Sequence, residues 1–149
     1  FDPNVLFIIS GSGDMERQII RLAADLGLGD KIIFAGFVRG EELMKLYRAA
    51  DLYVMPSVSE PFGLTALEAL ANGTPILVSK QSGVSEVLTH ALKSDFWDID
   101  DMADKIVGTL RSRGLRDTLG ELGARDVLHL TWESAAGKCT QIYNNLTKA

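Results

Sequence analysis

Residues 57–68 read SVSEPFGLTALE and set two carboxylates, Glu60 and Glu68, eight positions apart (68 − 60 = 8). A Pro, a Phe and a Gly lie between the first carboxylate and an Ala/Leu-rich stretch of helical period. A helix starting near Gly63 or Leu64 presents backbone N–H groups with no intrahelical partner, together with the positive end of its dipole. An anion such as a diphosphate is favoured there. Gly63 has no Cβ to block its approach. Thr65, Glu68 and Asn72 follow at i, i+3 and i+7 and form one polar stripe opposite the leucines. Glu68 then lies about one turn in, beside the anion. Its two acceptor oxygens suit neighbouring hydroxyls such as a ribose diol. Glu60, in the loop before the helix, lies on the anion's other side, within reach of hydroxyls on whatever the diphosphate carries. The spacing fits a ligand built as ribose, diphosphate, sugar. Each piece alone has a plainer account: a solvated first-turn Glu, a solvated loop Glu and an ordinary core helix. Their combination at the end of a strand points to a site.

The elements that must position these residues are legible as alternating patterns. VLFIIS (5–10), KIIFAGF (31–37), DLYVMPS (51–57) and PILVSK (75–80) are short continuous apolar runs, as in parallel strands covered on both faces. Helical patterns occupy 14–28, 41–50 and 64–72, the last stopped by Gly73. DFWDI (95–99) reads as a short last strand, and helical patterns follow at 101–112, 115–127 and 132–146. Strand and helix alternating at short spacing predict an α/β fold with a doubly wound, Rossmann-like parallel sheet. In such sheets ligands bind outside the carboxyl ends of the strands, which is where Glu60 falls.

The 149 residues suffice for one domain with a core. A net charge of −5 argues against a nucleic-acid partner, and the densest basic stretch, LRSRGLR (110–116), lies on an ordinary helix end. Cys139 is the one cysteine, so no intramolecular disulfide forms and a reducing, cytoplasmic setting fits. No apolar run approaches the roughly 20 residues of a membrane span. In a cytosolic chain, NGT (72–74) and NLT (145–147) are chance matches to the glycosylation sequon. The chain opens at Phe1 and enters an apolar run within four residues, which suggests a piece of a longer protein.

Other candidates are weaker. SGSGDME (10–16) approaches a dinucleotide fingerprint, but Glu16 stands where the third glycine belongs. A tight turn and a ligand-facing loop both remain open for it. His90 and His129 lack partners at metal-ligand spacing and read as structural or solvated. Cys139 reads as a small packing residue and Trp132 as packing for the last helix, with an exposed flank left open for that helix. The acids at 95–104 read as a helix N-terminus favoured by its dipole.

PSVSEPFGLTALEALANGTPILVSKQSGVSEVL resembles the donor-binding segment of the retaining, GT-B-type glycosyltransferases of group 1, glycosyltransferase family 4. That family carries Glu, seven residues, Glu, then an A-x-G-x-P turn, here Ala71-Asn72-Gly73-Thr74-Pro75. FAGFV (34–38), LYRAADLYVMPS (46–57), SGVSEV (82–87) and TWESAAGKCTQIYNNL (131–146) match as well. The resemblance spans nearly the whole chain and is weakest between 89 and 128.

The resemblance implies that residues 1–149 are the C-terminal, nucleotide-sugar-binding domain of a two-domain enzyme, lacking its first strand–helix unit. An N-terminal acceptor domain would face it across a cleft. Glu60 would be the catalytic-site carboxylate on the transferred sugar, and Glu68 would hold the donor ribose. Backbone N–H groups of Phe62, Gly63 and Leu64 would face that sugar, with Leu64 and Thr65 near the diphosphate. Val38 and Arg39 would meet the nucleobase through their backbone. The family's transfer needs no metal or other cofactor. Its Arg and Lys at the diphosphate lie in the missing unit, and Lys80 and Arg39 match neither of them. THALKSDFWDIDD (89–101) stands where the family carries a glycine-rich segment, which alters the rim of the donor pocket. The enzyme implied transfers a hexose from a nucleotide-sugar to a glycan or lipid-linked acceptor in polysaccharide biosynthesis. Peripheral membrane contact would come through the missing domain. The chain by itself is expected to be inactive and to self-associate through exposed apolar surface. The alternatives are a non-catalytic nucleotide-sugar-binding module and half of a sugar-nucleotide epimerase. A flavodoxin-like signalling domain lacks the acidic cluster it would need.

Overall fold

The computed structural model describes residues 4–147. Strands and helices alternate as β1 (Phe7–Ser10), α1 (Glu16–Asp25), a 3-10 turn (Gly29–Lys31), β2 (Ile32–Gly36), α2 (Glu41–Ala49), β3 (Tyr53–Met55), α3 (Leu64–Ala71), β4 (Ile76–Ser79), α4 (Val84–Val87) and β5 (Leu92–Ser94). Three helices close the chain: α5 (Ile99–Arg111), α6 (Arg113–Leu128) and α7 (Trp132–Leu146). Every strand pair among the described residues is parallel, as the continuous apolar runs require for a Rossmann-like, doubly wound α/β fold.

The chain divides into two compact units, one ending at Leu43 and one beginning at Met44. The strands divide with it. β1 pairs with β2, and β3, β4 and β5 form a separate sheet with β4 in the middle.

In the second unit, β4 is buried at all four residues. It has a strand on each side, and α3 and α5 pack against it. Leu70, Ile76, Leu77, Val78 and Val84 are fully buried and form the core. Burial of one such side chain stabilises the fold by about 1.5–3 kcal/mol. α6 crosses α3 closely because two of its turns lack side chains. A Cβ on Gly120 would lie 2.2 Å from the Gly73 carbonyl oxygen, and one on Gly123 would lie 2.4 Å from a Leu70 methyl. Asp126 of α6 then accepts the Thr89 and His90 N–H groups at 2.9 and 2.8 Å, and its other oxygen meets His90 Nδ1 at 3.0 Å. Burial works to raise the Asp126 pKa, but these hydrogen bonds prevail and hold it below the ordinary carboxylate value. His90 is thereby structural, and His129 is exposed.

In the first unit, β1 is exposed at all four residues, and Ala23 is the one buried residue among those described. The same apolar character that buries β4 leaves β1 uncovered, because a two-stranded sheet supplies fewer neighbours than a three-stranded one.

Three local expectations change. The last strand is Leu92–Ser94, three residues earlier than DFWDI. Asp95 is drawn instead into bonds with Lys80 and Gln81, and Asp98 caps α5 by accepting the Asp101 N–H at 3.0 Å. α7 buries none of its residues, so Cys139 is exposed rather than packed. Trp132 is 87% exposed and does not pack the helix it begins.

The contact of α6 with α3 yields a paired prediction. Gly120→Ala should destabilise the protein by about 1–3 kcal/mol, because the Gly73 carbonyl is backbone and cannot step aside. Gly137→Ala on α7 meets open space and should instead stabilise by about 0.5–1 kcal/mol. Denaturant unfolding of both variants checks the contrast, and equal effects would refute it.

Candidate functional site

The carboxyl ends of β3 and β4 carry loops 56–63 and 80–83, and the backbone laces them together. The Gly83 N–H donates to the Glu60 carbonyl at 3.0 Å and the Val84 N–H donates to the Phe62 carbonyl at 2.6 Å. Glu60 and Ser82 form an isolated parallel bridge. Ser79 Oγ donates to the Ser57 carbonyl at 2.6 Å, and Ser82 Oγ donates to the Ser79 carbonyl at 2.7 Å. Gly83 is required here, since a Cβ would lie 2.2 Å from the Pro61 carbonyl oxygen. Neither loop is therefore free to drift from the other.

Gly63 ends the first loop and caps α3. Its φ of +108° lies where side-chain-bearing residues are strained, and a Cβ there would sit 3.0 Å from both Met55 Cε and Val84 Cγ1. As a glycine it contributes no side-chain capping bond to the first turn of α3. The helix N-terminus thus opens at the sheet's carboxyl edge, with Phe62 and Leu64 exposed beside it.

Glu60 and Glu68 stand on either side of that terminus, one before it in the loop and one in the second turn. Both are partly buried. Glu60 Oε1 accepts the Phe62 N–H at 3.3 Å, so in this structure that N–H turns toward the carboxylate. Glu68 Oε2 accepts the Tyr47 hydroxyl at 3.2 Å. The rest of the polar stripe is held in the same way. Thr65 Oγ1 accepts the Tyr53 hydroxyl at 2.9 Å, and Asn72 Oδ1 accepts Arg48 at 3.2 Å. The stripe is tied to β3 and α2, with Thr65 exposed and Glu68 and Asn72 partly buried. Tyr47 and Tyr53 meet edge to face at 5.7 Å. Burial, then the Glu68 charge, pushes the Tyr47 phenol well above its ordinary pKa. Burial likewise raises Tyr53.

The sequence patterns missed both tyrosines and the serine lacing. Their signals were present in LYRAADLYVMPS and SGVSEV, but only the fold shows which atoms meet. Lys80, an available cation by sequence, is paired with Asp95 at 2.8 Å. The Lys80 hydrogen bond, then that of Gln81, holds the Asp95 pKa below the usual carboxylate range.

Two further candidates lie in the first unit. Val38 sits, partly buried, in the loop after β2, and Arg39 stacks on the Phe37 ring at 5.5 Å. The Gly11–Gly13 loop follows β1 and bounds a pocket of about 250 Å³ with Ile9, Met15, Glu16 and Phe34. Gly11 has a φ of +131° and donates its N–H to the Gly36 carbonyl at 2.7 Å, which makes this loop a turn tied to β2. Among the described residues no cluster of three His, Cys, Asp or Glu could hold a metal ion. Among them, too, no helix is long and apolar enough to cross a membrane.

The family model for glycosyl transferases group 1 matches residues 1–126. The chain belongs to that family. It is 37% identical over 145 residues to an uncharacterised glycosyltransferase of Methanocaldococcus jannaschii, covering 94% of this chain and 37% of that protein. It is 35% identical over 144 residues to the D-inositol 3-phosphate glycosyltransferase of Salinispora arenicola, covering 94% and 32%. Among solved structures it resembles the sucrose-phosphate synthase of Thermosynechococcus elongatus, with a TM-score of 0.78 and 32% identity over 95% of this chain and 38% of that one. The chain thus spans roughly a third of the length of these relatives. Within this group 1 domain the fold is that of a GT-B C-terminal half.

Gly63 gives the site's own prediction. Gly63→Ala should cost about 1–3 kcal/mol of stability, because the left-handed backbone and the contacts with Met55 and Val84 both oppose the methyl. The melting temperature should fall accordingly. An unchanged melting temperature would show that the loop adapts freely.

Proposed function

We propose that this domain binds the nucleotide-sugar donor of a retaining glycosyltransferase of family 4, which transfers a hexose to a glycan or lipid-linked acceptor. The carrying observation is the pair Glu60 and Glu68 on either side of a helix terminus without a side-chain cap, at the carboxyl edge of a parallel sheet. The backbone N–H groups of Leu64 and Thr65 receive the diphosphate, and the dipole of α3 offsets the negative charge that grows on it as the sugar leaves. No metal is assigned to this role. Glu68 accepts the ribose hydroxyls. Glu60 accepts hydroxyls of the transferred sugar and lies near the anomeric carbon, where positive charge develops. Gly63 serves the site by forming the left-handed turn that starts α3; a Cβ there would meet Met55 and Val84 inside the protein, so the expected clearance for the anion is not its role. The acceptor lies against an N-terminal domain of the full-length protein, which acts in the cytoplasm, in part at the membrane surface, in polysaccharide synthesis. Membership of the group 1 family and the similarity to enzymes named for glycosyl transfer support this function.

The two carboxylates should fail differently in the full-length protein. Glu68→Ala removes a group that holds ribose equally in ground and transition states. It should cost about 1.5–3 kcal/mol, seen as a raised donor KM and weaker binding of free nucleoside diphosphate. Glu60→Ala should lower kcat and leave free-nucleotide affinity nearly intact, since the free nucleotide carries no sugar for it to touch. Calorimetric nucleotide binding beside donor kinetics decides the matter. Loss of nucleotide binding in Glu60→Ala with none in Glu68→Ala would reverse the two roles.

A further inference from the structure

We infer that Tyr47 is a positioning residue for Glu68: its hydroxyl holds Oε2 and leaves Oε1 free for the donor. The inference rests on the ribose role proposed for Glu68. Tyr47 lies on α2 and is 4% exposed. A phenylalanine would fill the same volume, so the hydroxyl is the chemically distinctive part of this buried side chain. Leaving a buried hydroxyl without a partner is costly, and this one meets Glu68 Oε2 at 3.2 Å.

The tyrosine is itself fixed from several sides. Its ring meets Tyr53 edge to face at 5.7 Å. Its carbonyl accepts Thr74 Oγ1 at 2.5 Å, from a buried threonine in the turn after α3. One residue further along α2, Arg48 donates to Asn72 at 3.2 Å, which ties the same helix to the C-terminal end of α3. α2 is thus anchored to α3 through the main chain and a second side-chain pair, and Tyr47 transmits that anchoring to the carboxylate. A glutamate at a partly exposed helix position otherwise samples several rotamers. One immobile donor on one oxygen selects among them, and the orientation is set before the ligand arrives. Because burial and the Glu68 charge keep the phenol protonated, it remains a donor throughout the working pH range.

Tyr53 is the internal contrast. It is the neighbouring tyrosine, but its hydroxyl donates to Thr65 rather than to Glu68. Removing it should leave Glu68 oriented.

The test is calorimetric binding to the full-length protein of UDP, ADP and GDP beside their 2′,3′-dideoxy counterparts, following the base that binds. The ratio of the two affinities reports how well the ribose hydroxyls are held. It is taken within each variant, so it stays readable in a protein that has lost some stability. The wild type should prefer the ribose form, and Glu68→Ala should erase that preference. Tyr47→Phe should weaken ribose-form binding about three- to tenfold, the scale of the net contribution of one ordinary hydrogen bond, and leave the dideoxy form nearly unchanged. It should raise donor KM without changing kcat, and it should add nothing on a Glu68→Ala background. Tyr53→Phe should keep the full preference. If Tyr47→Phe keeps the full preference while Glu68→Ala loses it, the positioning role is overturned and the ribose role stands. The positioning role is equally overturned if Tyr47→Phe costs as much on the Glu68→Ala background as alone. If Glu68→Ala itself keeps the preference, the ribose role falls and takes the positioning role with it.

Discussion

The close approach of Gly83 to the Pro61 carbonyl is the constraint on which the site depends. Two loops leave neighbouring parallel strands, and nothing in strand pairing alone would hold them together beyond the sheet. Here the Gly83 and Val84 N–H groups pair with the Glu60 and Phe62 carbonyls, so the sheet in effect continues past its last strand residue. Any Cβ at residue 83 would push the loops apart. With the loops joined, Gly63 is forced into its left-handed turn, α3 begins at a fixed point, and Glu60 and Glu68 acquire a fixed separation in space. The geometry of the site is a consequence of backbone packing before it is one of side-chain chemistry.

Serine hydroxyls and a second layer of donors support this frame. Ser79 and Ser82 are fully buried, and each commits its hydroxyl to a carbonyl in or beside the laced loops. Buried polar groups that are all paired favour one arrangement over its neighbours, because any shift leaves a donor or acceptor unmatched. The polar stripe of α3 belongs to the same scheme. Its three members are held from β3 and α2, so α3 is fixed in rotation as well as in position.

The two units of the chain handle the same chemistry unequally. The second buries its middle strand at every residue, with helices packed against it. The first, with two strands, leaves Phe7, Ile8 and Ile9 exposed. A parallel strand is stable when covered on both faces, and a two-stranded sheet cannot provide that for itself. α7 presents the complementary case, a well-capped helix whose Trp132, Tyr143 and Leu146 all remain exposed. Local propensity and capping suffice to form it, but burial is a separate requirement.

The sequence by itself determined the order of the first four strands and of the longer helices, the strands' parallel character and the helix that follows Glu60. Those features depend on periodicity, glycine stops and capping residues, which act within a few positions of one another. It also placed Glu60, Gly63 and Glu68 in one segment, because a loop and the first turns of the next helix are contiguous in the chain. The tertiary structure decided everything that joins distant segments. No local pattern shows that the hydroxyl of Tyr47 reaches Glu68, 21 positions away, or that Asp95 turns from a strand to pair with Lys80, 15 positions away. The same holds for the apolar run of β1, which reads like that of β4 yet stays exposed, and for Trp132 and Cys139 on α7. Whether an apolar residue is buried is a property of its neighbours in space, and pairing between remote side chains is fixed only once the backbone has brought them within hydrogen-bonding distance.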